Sequence, residues 1–92
     1  MDKFLYAVWF RDLSLPEDDQ DHEWVAVFVI EARDQQAAKA WGDTLSTWRC
    51  NSGGQEKLES SIEPLVDPIP PNVGALPVVR EGCDESFSQI GW

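Results

Sequence analysis

The chain has 92 residues, with 7 basic and 17 acidic side chains and a formal net charge of −10. That length suffices for one small domain, and an apolar content of 42% is too high for a chain that is disordered throughout. The acidic excess argues against direct nucleic-acid binding, since phosphates are contacted mostly by lysine and arginine. The longest uncharged apolar run, 4–10, is shorter than the roughly 20 residues that span a bilayer, and no export signal surrounds it. We therefore expect a cytoplasmic protein with no membrane contact.

Two segments have the composition of buried β-strands. Residues 3–11 and 24–30 are dominated by aromatic and β-branched side chains, and both alternating faces of each segment are apolar. Such strands are expected to be covered on both sides. The intervening segment 14–23 contains Pro16 and an acidic cluster, which favours a solvated loop over a helical crossover. The two strands are therefore predicted to pair antiparallel.

A helix is predicted to begin after Asp34, whose carboxylate can accept hydrogen bonds from the first-turn N–H groups. One predicted face of this helix is apolar and consists of Ala38, Trp41, Leu45 and Trp48. Gly42 is expected to weaken the helix by about 1 kcal/mol relative to alanine. The Gly-rich segment 51–54 is expected to end it.

A third strand is predicted over 57–63, with Leu58 and Ile62 on the same face as Ser60 and with Glu59 and Ser61 facing away. Five prolines then punctuate residues 64–77, which excludes a long helix or a central strand there. Residues 76–80 are predicted to form a short strand.

These elements predict one α+β domain over 1–92. Its core is an antiparallel sheet of three to five strands with one helix on one face, in β-β-α-β order. Residues 64–92 form an extended, Pro-rich tail that docks on this core. The stretch from Val29 to Trp41, an apolar strand followed by a cap and an Ala-rich helix, resembles the strand-to-helix passage of ferredoxin-like domains. The resemblance implies that the β-β-α-β part is a ferredoxin-like fragment.

One helix cannot cover both faces of such a sheet. A helix is about 10 Å wide and strands lie about 4.8 Å apart, so the helix covers about two strands on one face. The second face must then be covered by the tail or by a second copy of the chain. If neither covers it, the face is an exposed apolar surface suited to interaction.

Two features are candidate partner-binding sites. The first is the acidic loop, which consists of Glu17, Asp18, Asp19, Asp21 and Glu23. Its charge predicts attraction of a basic protein surface. The second is Trp92, which at the last position either docks into its own domain or anchors a partner. The loop lacks the glycine and closing glutamate of a calcium loop, so no metal site is predicted.

No catalytic constellation is recognisable. His22 and Tyr6 are candidate proton-transfer groups, but no nucleophile stands at a known spacing from either. Cys50 and Cys83 are too far apart in sequence for a CxxC signature and are expected to be separate thiols, and no cofactor is predicted.

The function predicted from the sequence is therefore a non-enzymatic, acidic protein-binding module of regulatory, inhibitory or immunity type. The alternative is a small homodimeric enzyme or ligand-binding domain of ferredoxin-like type. In that alternative two sheets pack face to face and enclose a cavity lined by Tyr6, His22 or a tryptophan.

Overall fold

The computed structural model describes residues 1–20 and 22–92. These described residues form a mixed α+β fold of four strands and three helices. The strands are β1 (Asp2–Asp12), β2 (Glu23–Ala32), β3 (Gln55–Pro64) and β4 (Val78–Arg80). The helices are α1 (Gln35–Gly53), α2 (Pro71–Gly74) and α3 (Ser86–Ile90).

The sheet has the strand order β3-β1-β2-β4. β1 pairs antiparallel with both β2 and β3, as the hairpin interpretation predicted for the first pair. β4 pairs parallel with β2, so the prediction of a fully antiparallel sheet is wrong. The reason is the route of residues 65–77, which leave β3 beside Lys3 and rejoin the sheet beside Val29. β2 and β3 are both antiparallel to β1, so β4 also runs in the same direction as β3, and residues 65–77 form a crossover connection between two parallel strands at opposite edges of the sheet.

The core lies between one face of the sheet and α1. β1 contributes four side chains to this core face, and all are buried: Phe4, Tyr6, Val8 and Phe10. Facing residues of the other elements complete the core: Phe28, Ile30, Leu45 and Val79. These aromatic and branched side chains suit a pleated surface, and their burial is the main source of stability.

α1 begins and ends where its local signals predict. Asp34 Oδ1 accepts a hydrogen bond of 2.8 Å from the Ala37 N–H. At the other end Gly54 adopts the left-handed conformation (φ 71°), and its N–H is bonded to the Cys50 carbonyl. Three of the four side chains in the predicted apolar stripe face the core, and Trp41 is one of them, packed against the core cluster. Ala38 and Leu45 are fully buried, whereas Trp48 is 46% exposed.

The predicted single helix is also wrong, because the tail forms α2 and α3 within the described residues. α3 and the residues after it pack beside α1 on the core face. The Trp92 ring lies 5.7 Å from the Phe10 ring and 5.5 Å from the Phe28 ring, measured between centroids. Part of the tail therefore packs on the same face of the sheet as α1 and adds to the cover that α1 gives to the core.

β3 contains an irregularity that the sequence pattern did not reveal. Its register against β1 shifts between Trp9 and Phe10, so that Glu59 lies opposite Trp9 and Lys57 lies opposite Phe10. Leu58 is the extra residue and is exposed. Ile62 packs against the core, as predicted, but Leu58 does not share its environment.

Candidate functional site

The sheet face opposite α1 is called the open face here. It is apolar along its two central strands, where it carries Leu5, Ala7, Trp9, Val25 and Val27. The strand pairing orders these side chains in rows across the sheet. Trp9 lies between Glu59 and Val25, Ala7 lies between Ser61 and Val27, and Leu5 lies between Glu63 and Val29. The open face is therefore an apolar strip bordered by polar and acidic side chains of β3.

The open face becomes more exposed to solvent from Val29 toward Val25 along β2. Val29 is 3% exposed, whereas Val25 on the same face is 47% exposed. On β1, Trp9 is 37% exposed. Residues 65–77 cross the sheet at the Val29 end, where Leu65 donates to the Lys3 carbonyl and Val29 donates to the Pro77 carbonyl. Within a single chain, therefore, the tail does not supply the predicted cover at the end that carries Trp9 and Val25, and cover by a second copy stays a prediction.

A row of ion pairs borders that exposed end. Arg11 lies between Glu23 and Glu56 in the sheet. Its guanidinium is 3.4 Å from a Glu23 carboxylate oxygen and 3.5 Å from one of Glu56. All three side chains are partly exposed, so these pairs add little stability. They do place two carboxylates next to the apolar strip.

The acidic loop joins β1 and β2 at this same end of the sheet. Glu17 and Asp18 are exposed, Asp19 is half-buried, and Glu23 belongs to β2. Asp21 lies outside the described residues. Backbone hydrogen bonds from Asp19 to Pro16 and from His22 to Asp19 shape the loop. Among the described acidic side chains of the loop, Glu17 and Glu23 lie beside Arg11 at this end of the sheet.

Asp12, Ser14 and His22 form hydrogen bonds within the described part of the loop. Hydrogen bonds from the hydroxyl and the N–H of Ser14 hold the pKa of Asp12 below its usual value. The His22 ring nitrogen Nδ1 lies 3.1 Å from the Leu15 carbonyl oxygen. A shallow cavity of about 340 Å³ is lined by Arg11, Glu17, His22 and Glu23.

Trp92 lies on the opposite side of the sheet from the open face. Its ring packs edge to face against Phe10, Phe28 and Phe87, and it is half-buried. The structure does not bring Trp92 together with the acidic loop on one surface. A partner-binding role for Trp92 stays a prediction.

A polar network lies beneath α1, and no pattern in the sequence indicated it. Tyr6, which is fully buried, donates a hydrogen bond of 2.7 Å to Asp43 and lies 2.8 Å from the Ser46 hydroxyl oxygen. Asp43 also accepts from Ser60 at 2.7 Å and from Lys39 at 2.9 Å. These residues lie far apart in the sequence and meet because α1 packs across β1 and β3.

The network shifts the pKa values of two groups. Burial, together with the negative charge of Asp43, raises the pKa of Tyr6 far above its usual value. Burial on its own would raise the pKa of Asp43 as well, but hydrogen bonds from Lys39, Tyr6 and Ser60 outweigh it and lower that pKa. Both shifts keep Tyr6 neutral and Asp43 ionised near neutral pH, which is the arrangement of a structural hydrogen-bond network.

Tyr6 and His22 do not form one site. Tyr6 lies under α1, whereas the His22 carbonyl is bonded to Asp12 at the end of β1. Six residues of extended strand separate Tyr6 from Asp12, a distance of about 20 Å. Tyr6 also faces the core, so it cannot line a cavity formed by two open faces.

A scan against models of known protein families gave no match, and searches of curated proteins and of solved structures gave none. In residues 1–20 and 22–92, no three side chains of the His, Cys, Asp or Glu type are grouped so that they could hold a metal ion. No helix in the described part of the chain is both long enough and apolar enough to cross a membrane.

Proposed function

We propose that this protein is a non-enzymatic, acidic protein-binding module, of regulatory, inhibitory or immunity type, whose partner presents a basic surface. The single observation that carries the proposal is the exposed apolar strip around Trp9 and Val25, which is bordered by Glu23, Glu56 and Glu59. An apolar surface ringed by charge is typical of a protein-docking site.

The two parts of this surface have different roles in the proposal. The net charge of −10 and the acidic loop attract a basic partner over distances of about 8–10 Å at ordinary salt concentrations. Trp9 and the valines beside it then supply short-range contact, since large aromatic side chains carry much of the energy of protein interfaces. Trp92 packs on the other side of the sheet, so a contact between Trp92 and a partner would be separate from this surface.

Selection from a random peptide library tests the proposal and does not require the partner to be identified. We expect the bound peptides to be basic and to contain apolar residues, and their affinity to fall as salt is added. Trp9→Ser is expected to weaken binding by at least about ten-fold. Selection of neutral or acidic peptides, or binding that does not respond to salt, would contradict the proposal.

A matched pair of double variants distinguishes the effect of the acidic loop on binding from the effect of the net charge. Glu17→Gln with Asp18→Asn neutralises two loop carboxylates. Asp84→Asn with Glu85→Gln removes the same charge next to α3, off the open face. The loop variant is expected to slow association several-fold, and the α3 variant to have a smaller effect. Equal effects would rule out a specific role for the acidic loop.

The second candidate is a homodimer through the open face, which is the arrangement of a ferredoxin-like enzyme or ligand-binding domain. The exposed Trp9 and Val25 favour it, because a second copy would cover them. Any cavity between two such faces would be lined by Trp9 and not by Tyr6. Sedimentation of the wild type and of Trp9→Ser distinguishes the two functions. A dimer that dissociates on Trp9→Ser supports the homodimer and contradicts the binding module.

A further inference from the structure

β3 is the long edge strand of the sheet. It spans Gln55–Pro64, and β1 is its neighbour on one side. In the described part of the chain no strand pairs with its other side. About half of its backbone N–H and C=O groups therefore point outward, where another strand can pair with them.

A groove runs beside this free edge on the core side of the sheet. It lies between α1 and β3, has a volume of about 490 Å³, and is lined by Gln35, Gln36, Lys39, Ala40, Asp43 and Ile62. Lys39 is already held by Asp43 at 2.9 Å and by Ser60 at 3.2 Å. The Lys39 ammonium keeps these two partners when the groove is filled. An apolar side chain can therefore enter the groove without leaving this charge unpaired.

The other side of the same edge is acidic. Glu59 and Glu63 point to the open face, where their neighbours on β1 are the apolar Trp9 and Leu5. Both glutamates are exposed, and among the described residues neither forms an ion pair with a basic side chain. They lie two strand positions on either side of Ser61, so they can meet alternate side chains of an added strand.

We infer that an extended segment of the partner adds to the sheet along β3, with basic side chains at alternate positions over Glu59 and Glu63 and apolar side chains between them in the α1–β3 groove. This inference rests on the proposed function and specifies how the basic partner is recognised. Main-chain hydrogen bonds supply affinity in such strand addition, and the alternating side chains supply specificity.

The charges disfavour a second copy of this chain as the occupant. Antiparallel pairing of two β3 strands centred on Ser61 would place Glu59 of each copy opposite Glu63 of the other on the same face, and like charges in this position destabilise a sheet. The register shift near Leu58 and the proline at position 64 also limit edge-to-edge self-association.

A blocked peptide of alternating lysine and valine, about eight residues long to match β3, is the probe. Its control has the same composition with the lysines and valines in separate blocks. We expect the alternating peptide to bind the whole protein at least about ten-fold more tightly than the control. Glu59→Gln with Glu63→Gln is expected to weaken its binding by more than Asp84→Asn with Glu85→Gln, which removes equal charge elsewhere.

Two further measurements identify the edge itself. One version of the peptide is N-methylated at its lysines and another at its valines, which removes the N–H groups of one peptide edge at a time. One version is expected to lose binding while the other retains it, because only one peptide edge pairs with β3. The outward amides of β3 are expected to become protected from hydrogen exchange when the unmodified peptide binds.

Each contrary result has a distinct meaning. If both methylated peptides bind and β3 stays unprotected while Trp9→Ser removes binding, the partner docks on the open face, so the edge inference fails and the proposed function stands. If neither lysine-valine peptide binds, the edge inference also fails, and the library selection decides the proposed function separately. If the free protein is a dimer with β3 already protected, a second copy occupies the edge and the inference is overturned.

Discussion

Gly42 and Tyr6 together set the distance between α1 and the sheet. A Cβ atom at Gly42 would lie 2.7 Å from Tyr6 Cζ and closer still to two other carbons of the ring. The ring cannot move away easily, since its hydroxyl is bonded to Asp43 and lies against Ser46. Gly42, which is expected to weaken the helix, is therefore the residue that allows α1 to lie this close to the Tyr6 ring.

Gly42→Ala is expected to destabilise the protein by about 1–2 kcal/mol, because overpacking costs up to about 3 kcal/mol and the gain in helix propensity returns about 1 kcal/mol. Chemical denaturation measures this change. Gly74→Ala is the control, since a Cβ at Gly74 has nothing within 4 Å. Its unfolding free energy should change by no more than about 0.5 kcal/mol. A neutral or stabilising Gly42→Ala would show that α1 does not rest on the Tyr6 ring.

Tyr6 is the single tyrosine of the chain, so its ionisation can be followed directly. Its pKa is raised in the folded state, mainly by burial. The neutral ring therefore contributes stability that is complete below the unfolded pKa of about 10 and is lost as pH rises toward the folded pKa. The tyrosinate absorbance of the folded protein should stay low at about pH 10, where an exposed tyrosine is half ionised. Half ionisation at that pH without unfolding would contradict the buried network.

Among the elements, α1 and β3 differ in how their ends and register are determined. The ends of α1 follow from Asp34 and Gly54, which act on the backbone within a few residues. The register of β3 follows from its contact with β1, where the shift at Leu58 turns Lys57 toward Asp43. A local sequence pattern therefore predicts the ends of α1 but cannot predict the register of β3.

Asp34→Ala is expected to lower the unfolding free energy by about 1 kcal/mol, since the Ala37 N–H loses its acceptor at the first turn of α1. Asp34→Asn is the matched control, because asparagine caps a helix about as well as aspartate does. Thermal or urea unfolding of both variants measures the difference. Equal losses in the two variants would indicate that charge, not the cap hydrogen bond, is what matters there.

Across the molecule as a whole, the two faces of the sheet are unequal although both are apolar along β1 and β2. α1, α3 and Trp92 pack on the core face, whereas on the open face Val29 is buried and the end beyond it toward Val25 is exposed. Val8 is fully buried on the first face, and Val25 is 47% exposed on the second. This inequality is the basis of the proposed function.

Matched Val→Thr substitutions measure the inequality, since threonine nearly preserves the shape of valine. Val8→Thr should destabilise the protein by about 1–3 kcal/mol, because the added hydroxyl is removed from water at a fully buried position. Val25→Thr should change the unfolding free energy by no more than about 0.5 kcal/mol. A comparable loss at both positions would mean that the Val25 end of the open face is covered in solution, which supports the homodimer.

The α+β class, the first two strands, the caps of α1 and the acidic loop could all be predicted from the sequence, because each depends on local composition or on contacts a few residues apart. The parallel pairing of β4, the Tyr6–Asp43 network and the side of the sheet on which α3 and Trp92 pack emerged only from the folded chain. Those features join residues that are far apart in the sequence. Because both faces of β1 and β2 are apolar, the sequence pattern did not distinguish the face on which α3 and Trp92 pack. Which face stays open therefore depends on where the tail packs, which periodicity along a single strand does not encode.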